Sequence, residues 1–215
     1  MEASNLKLYY SKGACSLAPH IVLEEIGQPY ALEKVVLSEG QHLHPEYQKI
    51  HPFQRVPALQ MGDKILTETS AILLHLADRF PEKQLLPKMG TPERALAYEW
   101  CSFLSSTVHP AFAQVYRPKR YSDSEDSHAS IQESGRSNIM RYYDWIDKRL
   151  SKDRYAIGDA YSVCDPYLLV FCRWGYRIHL PMEENYPAFC SYAKRLLERA
   201  VVKRVFEQEE IELTG

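Results

Sequence analysis

Over the first eighty residues, short apolar runs alternate with longer stripes of helical period. Leu6–Tyr10 reads as a strand. Gly13 then interrupts the chain, and Leu17, Ala18, Ile21, Val22 and Ile26 fall on one face at three-and-four spacing, which predicts an amphipathic helix. Gly27 with Pro29 ends that helix, and Tyr30–Leu37, alternating and rich in β-branched and aromatic residues, predicts a second strand. After a short helical turn, Ala58–Met61 and Lys64–Leu66 flank the turn signal Gly62-Asp63 and predict a hairpin. A helix follows, with Thr67 as its cap, Glu68 in its first turn, and Ile72, Leu73 and Leu76 as its apolar face. The order βαβ-α-ββα holds one parallel crossover and one hairpin, so the sheet is expected to be mixed.

A stretch rich in Pro, Gly and Lys reads as a linker over residues 81–91, separating a first unit, 1–80, from a second, 92–215. The second unit is expected to be all helical. Pro92–His109, Ile131–Leu150, Val163–Ile178 and Pro187–Glu207 show helical spacing, for example Ile139, Tyr142, Tyr143, Ile146 and Leu150 on one face. Arg117–His128, basic and then acidic, reads as a solvated loop.

With 26 Lys and Arg against 28 Asp and Glu, the 215-residue chain has a net charge of -2, which argues against nucleic acid as a partner. No apolar stretch is long enough to span a bilayer, and Met1–Tyr10 has no basic flank followed by a long apolar run, so no membrane association and a cytoplasmic location are expected. The five cysteines are widely spaced and form no CxxC pair. Free thiols are expected, with neither a disulfide framework nor a metal site.

Cys15 is the leading candidate for chemistry. It follows a strand and a Gly-Ala turn and opens a helix, where unpaired backbone N–H groups and the helix dipole favour thiolate over thiol. The alternative is a small apolar residue that merely packs. Ser16 would either cap the helix or donate its hydroxyl to a bound thiolate. Ala18 stands where a dithiol oxidoreductase carries a second cysteine, so a disulfide at Cys15 would need an outside thiol. Val56-Pro57, before the hairpin, suits a cis peptide that leaves neighbouring backbone groups to a ligand. Glu68 and Thr69, at a helix start, suit an anionic group or simple capping. His109, Phe112 and Tyr116 share one helix face, which is either core or the wall of a pocket. His20, His42, His44 and His51 are read as surface or loop residues.

The runs Lys7–His20, Arg55–Leu59 and Leu66–Ile72 resemble those of glutathione S-transferases, closest to the bacterial beta class, and the likeness spans nearly the whole chain. Ser162–Leu168 resembles that family's folding signature, in which Ser162 caps a helix and Asp165 reaches back to the cap's own N–H. The resemblance implies an α/β thioredoxin-like first domain, an all-α second domain and a homodimer. It implies glutathione as a co-substrate, with no further cofactor, and conjugation of its thiolate to a small hydrophobic electrophile. Cys15, Ser16 and His109 would be catalytic. Ala14, Arg55, Val56, Pro57, Glu68, Thr69, Ser102 and Ser106 would bind glutathione, and Phe112, Tyr116, Tyr167 and Trp174 would face the electrophile. Two other readings stay open: a monothiol reductase or peroxidase working through a mixed disulfide at Cys15, and a binding or regulatory protein without turnover.

Overall fold

A computed structural model describes residues 6–214; of the Met1–Tyr10 segment read above, 1–5 lie outside the described residues. The first half comprises β1 (Leu6–Tyr10), α1 (Leu17–Ile26), β2 (Tyr30–Lys34), α2 (Pro45–Ile50), β3 (Ala58–Met61), β4 (Lys64–Thr67) and α3 (Thr69–Arg79). Its sheet runs in the order β2-β1-β3-β4. β1 pairs in parallel with β2, with Leu8 opposite Leu32, and antiparallel with β3, with Leu8 opposite Leu59; the β3–β4 hairpin completes a mixed sheet. The sheet is mixed, as the order of elements predicts, and the arrangement is the thioredoxin-like one that the resemblance implies.

Several boundaries differ. β2 stops at Lys34 and is largely exposed, because it forms the sheet edge, and two 3₁₀ turns follow it at Leu37–Glu39 and Gln41–Leu43. Thr67 is the last residue of β4 and not a cap: Glu68 is the residue before α3, at φ 71°, without a side-chain capping bond.

The second half comprises α4 (Pro92–Phe103), α5 (His109–Tyr116), α6 (His128–Leu150), α7 (Cys164–Arg177), α8 (Met182–Asn185), α9 (Pro187–Leu197) and α10 (Ala200–Gln208). α4 and α5 are joined by a π-helical turn, Leu104–Val108, so the helix expected to end at His109 continues to Tyr116 with one residue of added register. The expected helix over Pro187–Glu207 is two helices, with Arg199 extended between them. The folding signature takes the expected form. Ser162 Oγ accepts from the Cys164 N–H at 3.3 Å, and the Asp165 carboxylate accepts from the Ser162 N–H at 2.6 Å. Asp165, fully buried, also accepts from the Ala156 N–H and the Tyr192 hydroxyl, which pins the start of α7 to the preceding loop and to α9.

One buried cluster runs through both halves. Leu17, Ile21 and Leu73 from the first share it with Trp100, Phe171 and Val205 from the second, so the sheet and the helical unit pack as one body. Among the described residues no helix is long and apolar enough to cross a membrane.

Candidate active site

The loop between β1 and α1 is held from outside its own unit. Gly13, at φ 62°, donates its N–H to Glu209 Oε2 at 2.7 Å, and its carbonyl accepts from Trp174 Nε1 at 3.0 Å. A side chain at Gly13 would meet Arg173 Nη1 at 2.6 Å, so both the positive φ and the approach of α7 require glycine here. Glu209 Oε1 in turn bonds His20 Nδ1 at 2.8 Å, with both side chains fully buried. His20 is therefore a core residue of α1 and not a surface one. Ser16 is also buried. Its hydroxyl donates to the Ser11 carbonyl and accepts from the Ser11 N–H, both at 3.1 Å, which closes the loop on itself. This corrects its expected catalytic role: the hydroxyl is committed to the backbone, and Ser16 is not part of the cleft lining.

Cys15 follows that loop and is 6 % exposed. Its thiol donates to the Val56 carbonyl at 3.3 Å. Burial, the largest influence, pushes the thiol up to about 11, against the lowering effects of the Thr69 hydroxyl, a backbone N–H and the Arg117 guanidinium. The expected thiolate is thus corrected: α1 begins only at Leu17, and lost hydration outweighs its dipole. In the free protein Cys15 is a protonated donor.

The opposite strand supplies the next groups. The Val56-Pro57 peptide is cis. The segment before it is fixed by Tyr47 of α2, whose hydroxyl donates to the Arg55 carbonyl at 2.7 Å, and by Gln54, which adopts φ 55° and donates to the Leu43 carbonyl. His51, buried and not on the surface, accepts from the Phe53 N–H. At the start of α3, Glu68 and Thr69 complete a row that begins with Ala14, Cys15, Val56 and Pro57 along one side of a cleft of about 660 Å³.

The helical half supplies the other side. His109, Phe112 and Tyr116 of α5 line it beside Tyr167 and Trp174 of α7 as one aromatic wall. The His109 ring meets Trp174 edge to face at 5.1 Å, and Phe112 stacks on Tyr116 and abuts Trp174 at 5.3 Å. Burial and the charges of Arg55, Arg117 and Arg120 hold the His109 imidazole down at about 4, so it is neutral at pH 7.

Ser102 and Ser106 are not brought into the cleft; Ser105 is. Ser106 Oγ donates instead to the Ser102 carbonyl at 2.7 Å. Ser102, Ser106 and His109 share a face only if the helix is regular, and the π turn between them rotates the two serines away. Arg117 and Arg120, read as part of a solvated loop, line the cleft with Arg55. The Tyr121 hydroxyl, bonded to the Pro110 carbonyl at 3.0 Å, holds their turn against α5.

A two-part architecture with a cleft of this kind has counterparts among known proteins. The glutathione S-transferase N-terminal domain matches residues 4–78, and the glutathione S-transferase C-terminal domain matches residues 104–200. The chain belongs to the glutathione S-transferase family. It is 29 % identical to glutathione S-transferase GstA of Escherichia coli O157:H7 over 206 residues, covering 95 % of this chain and 98 % of the relative. A glutathione transferase homologue from Sulfitobacter, solved with bound glutathione, superposes at TM-score 0.89 with 29 % identity, covering 95 % of this chain and 98 % of that one. The bacterial beta-class enzyme of Sphingomonas chungbukensis superposes at 0.83 with 33 % identity, covering 96 % of this chain and 100 % of that one.

Proposed function

We propose that this glutathione S-transferase binds glutathione along the Cys15–Val56–Glu68 side of the cleft and transfers its sulfur to a small electrophile held against the aromatic wall of α5 and α7. The observation that carries the reading is the convergence on one cleft of a buried thiol, the backbone before a cis proline, a helix start and a wall of aromatic rings. The first N–H groups of α3 have no intrahelical acceptors and suit the γ-glutamyl carboxylate, while the Glu68 carboxylate suits the ammonium beside it. The Val56 backbone suits pairing with the cysteinyl part of the tripeptide.

The chemistry follows from the protonation states. A Cys15 held protonated can turn its single S–H from the Val56 carbonyl to the glutathione sulfur, and so stabilise that sulfur as thiolate without competing as a nucleophile. The thiol proton passes to solvent as the thiolate forms; His109, neutral and held at about 4, lines the same cleft as a hydrogen-bond partner rather than as the final holder of that proton. The thiolate then forms the new C–S bond, and the leaving group departs with its electron pair. Closeness of the two substrates in one cleft supplies much of the acceleration. The mixed-disulfide reading requires a Cys15 thiolate, which its burial opposes.

The protein is further proposed to act as a homodimer in the cytoplasm. Supporting the first, Phe53 is 73 % exposed, and Leu96 and Tyr98 of α4 and Met140 and Trp145 of α6 are exposed. Supporting the second, the five cysteines are all unpaired.

Replacing Cys15 separates the two chemistries. Cys15→Ala removes one weak donor, so conjugation is expected to fall by no more than about tenfold, the equivalent of one ordinary hydrogen bond. Disulfide reduction with glutathione, if present in the wild type, is expected to be as slow in the variant. Loss of reduction alone would show that Cys15 is a nucleophile and would reject the donor role.

A further inference from the structure

The aromatic wall of α5 ends at the half-exposed Tyr116 and passes directly into charged side chains. His109, Phe112 and Tyr116 are followed on the same side of the cleft by Arg117 and, one turn later, by Arg120. We infer that Arg117 and Arg120 form an anion subsite at the end of the aromatic wall, which selects planar electrophiles bearing a carboxylate. The inference deepens the proposed transferase function and rests on it.

Three observations support it. First, charge: Arg55, Arg117 and Arg120 line the cleft against a single lining carboxylate, that of Glu68, which leaves the cavity two units positive. Glutathione with its thiol protonated has one net negative charge, so one positive unit remains for the second substrate. Ionisation of the thiol matches it only until the C–S bond forms, when that charge leaves the sulfur. Second, none of these three guanidinium groups forms an ion pair among the described residues. Arg120 instead has its pKa lowered by burial and by the charges of Arg117 and Arg55, an arrangement that an anion relieves. His42 has its pKa lowered by burial and then by the charges of the same Arg117 and Arg120, and its Nδ1 is buried without a hydrogen-bond partner among the described residues. Third, placement: Tyr121 fixes the turn that carries both arginines onto the Pro110 carbonyl, so the charges are held at the cleft and not on a loose loop. A guanidinium pair beside stacked rings fits a flat molecule whose far end is a carboxylate.

The test compares two finished conjugates, so it does not depend on turnover. S-(4-carboxy-2,6-dinitrophenyl)glutathione and its carboxamide analogue differ only in charge at the far end of the ring. Their affinities, with that of glutathione itself, would be measured by calorimetry on the wild type and on an Arg117→Gln/Arg120→Gln variant. The carboxylate conjugate is expected to bind the wild type about tenfold tighter than the carboxamide, as befits one charge-assisted pair, with the preference reduced to within about twofold in the variant. Equal wild-type affinities, or a preference that persists in the variant, would overturn the subsite while glutathione binding upheld the transferase reading. Absence of binding by glutathione and by both conjugates would remove both. Circular dichroism on the variant checks that it is folded.

Discussion

Glu209, near the end of the chain, is the test of how the helical half controls the Cys15 loop. One carboxylate oxygen receives the Gly13 N–H at 2.7 Å and the other His20 Nδ1 at 2.8 Å, with no exposure of either side chain. A carboxylate only accepts, so Nδ1 carries the hydrogen. Glu209→Ala leaves two donors buried and unpaired beside a void, and the loss is about 4 kcal/mol if each charge-assisted bond contributes about 2. For a chain of this size that is a fall of about 8–16 °C in thermal midpoint. Glu209→Gln keeps the volume and one acceptor but turns an NH₂ group toward the other donor, so about half the loss is expected. The assay pairs the midpoint with amide hydrogen exchange over the segment containing Gly13 and Cys15. Both variants should speed exchange there, Glu209→Ala more, and both should lower kcat/KM for conjugation, because Cys15 is carried by that loop. A Glu209→Gln midpoint within about 1 °C of wild type, with unchanged exchange, would refute the anchoring role.

Asp165→Asn keeps shape but loses the charge that receives the Ser162, Ala156 and Tyr192 donors; a loss of about 3 kcal/mol is expected in denaturant titration, with glutathione affinity of the folded fraction unchanged. His109 titrates in the opposite sense to a paired histidine. Its folded value, about 4, lies below the unfolded one, about 6.5, so its neutral form contributes stability that is present above pH 6.5 and is lost as pH falls toward 4. The thermal midpoint of wild type should fall over that window, and His109→Gln should flatten the fall; identical pH profiles would place the effect elsewhere.

How far the sequence revealed the site varies residue by residue. Strand and helix positions around Cys15 were legible because their apolar periods are long and Gly13, Gly27 and Gly62 punctuate them. The state of the Cys15 thiol was not: a helix start argues for thiolate, and only the packing shows that burial wins. Ser102 and Ser106 came from the family resemblance, and the resemblance does not register the π turn at Leu104–Val108, beside which neither serine lines the cleft. Arg117 and Arg120 were hidden by their setting in a charged stretch, although their spacing directly after the His109–Tyr116 stripe was a usable signal. His20 offered a similar one, three residues after Leu17 and so within the buried stripe of α1. Glu209 offered none, since its partners lie nearly the whole chain away.

The central claim is that a protonated Cys15 serves the glutathione sulfur as a donor within this cleft, and a crystal structure of the protein grown with reduced glutathione tests it most directly. The account predicts the tripeptide along Ala14, Val56, Glu68 and Thr69, with its sulfur in hydrogen-bond reach of Cys15 Sγ, no S–S bond, and the space before Phe112 and Trp174 open to an electrophile. A disulfide between glutathione and Cys15, or a tripeptide bound away from this cleft, would contradict it.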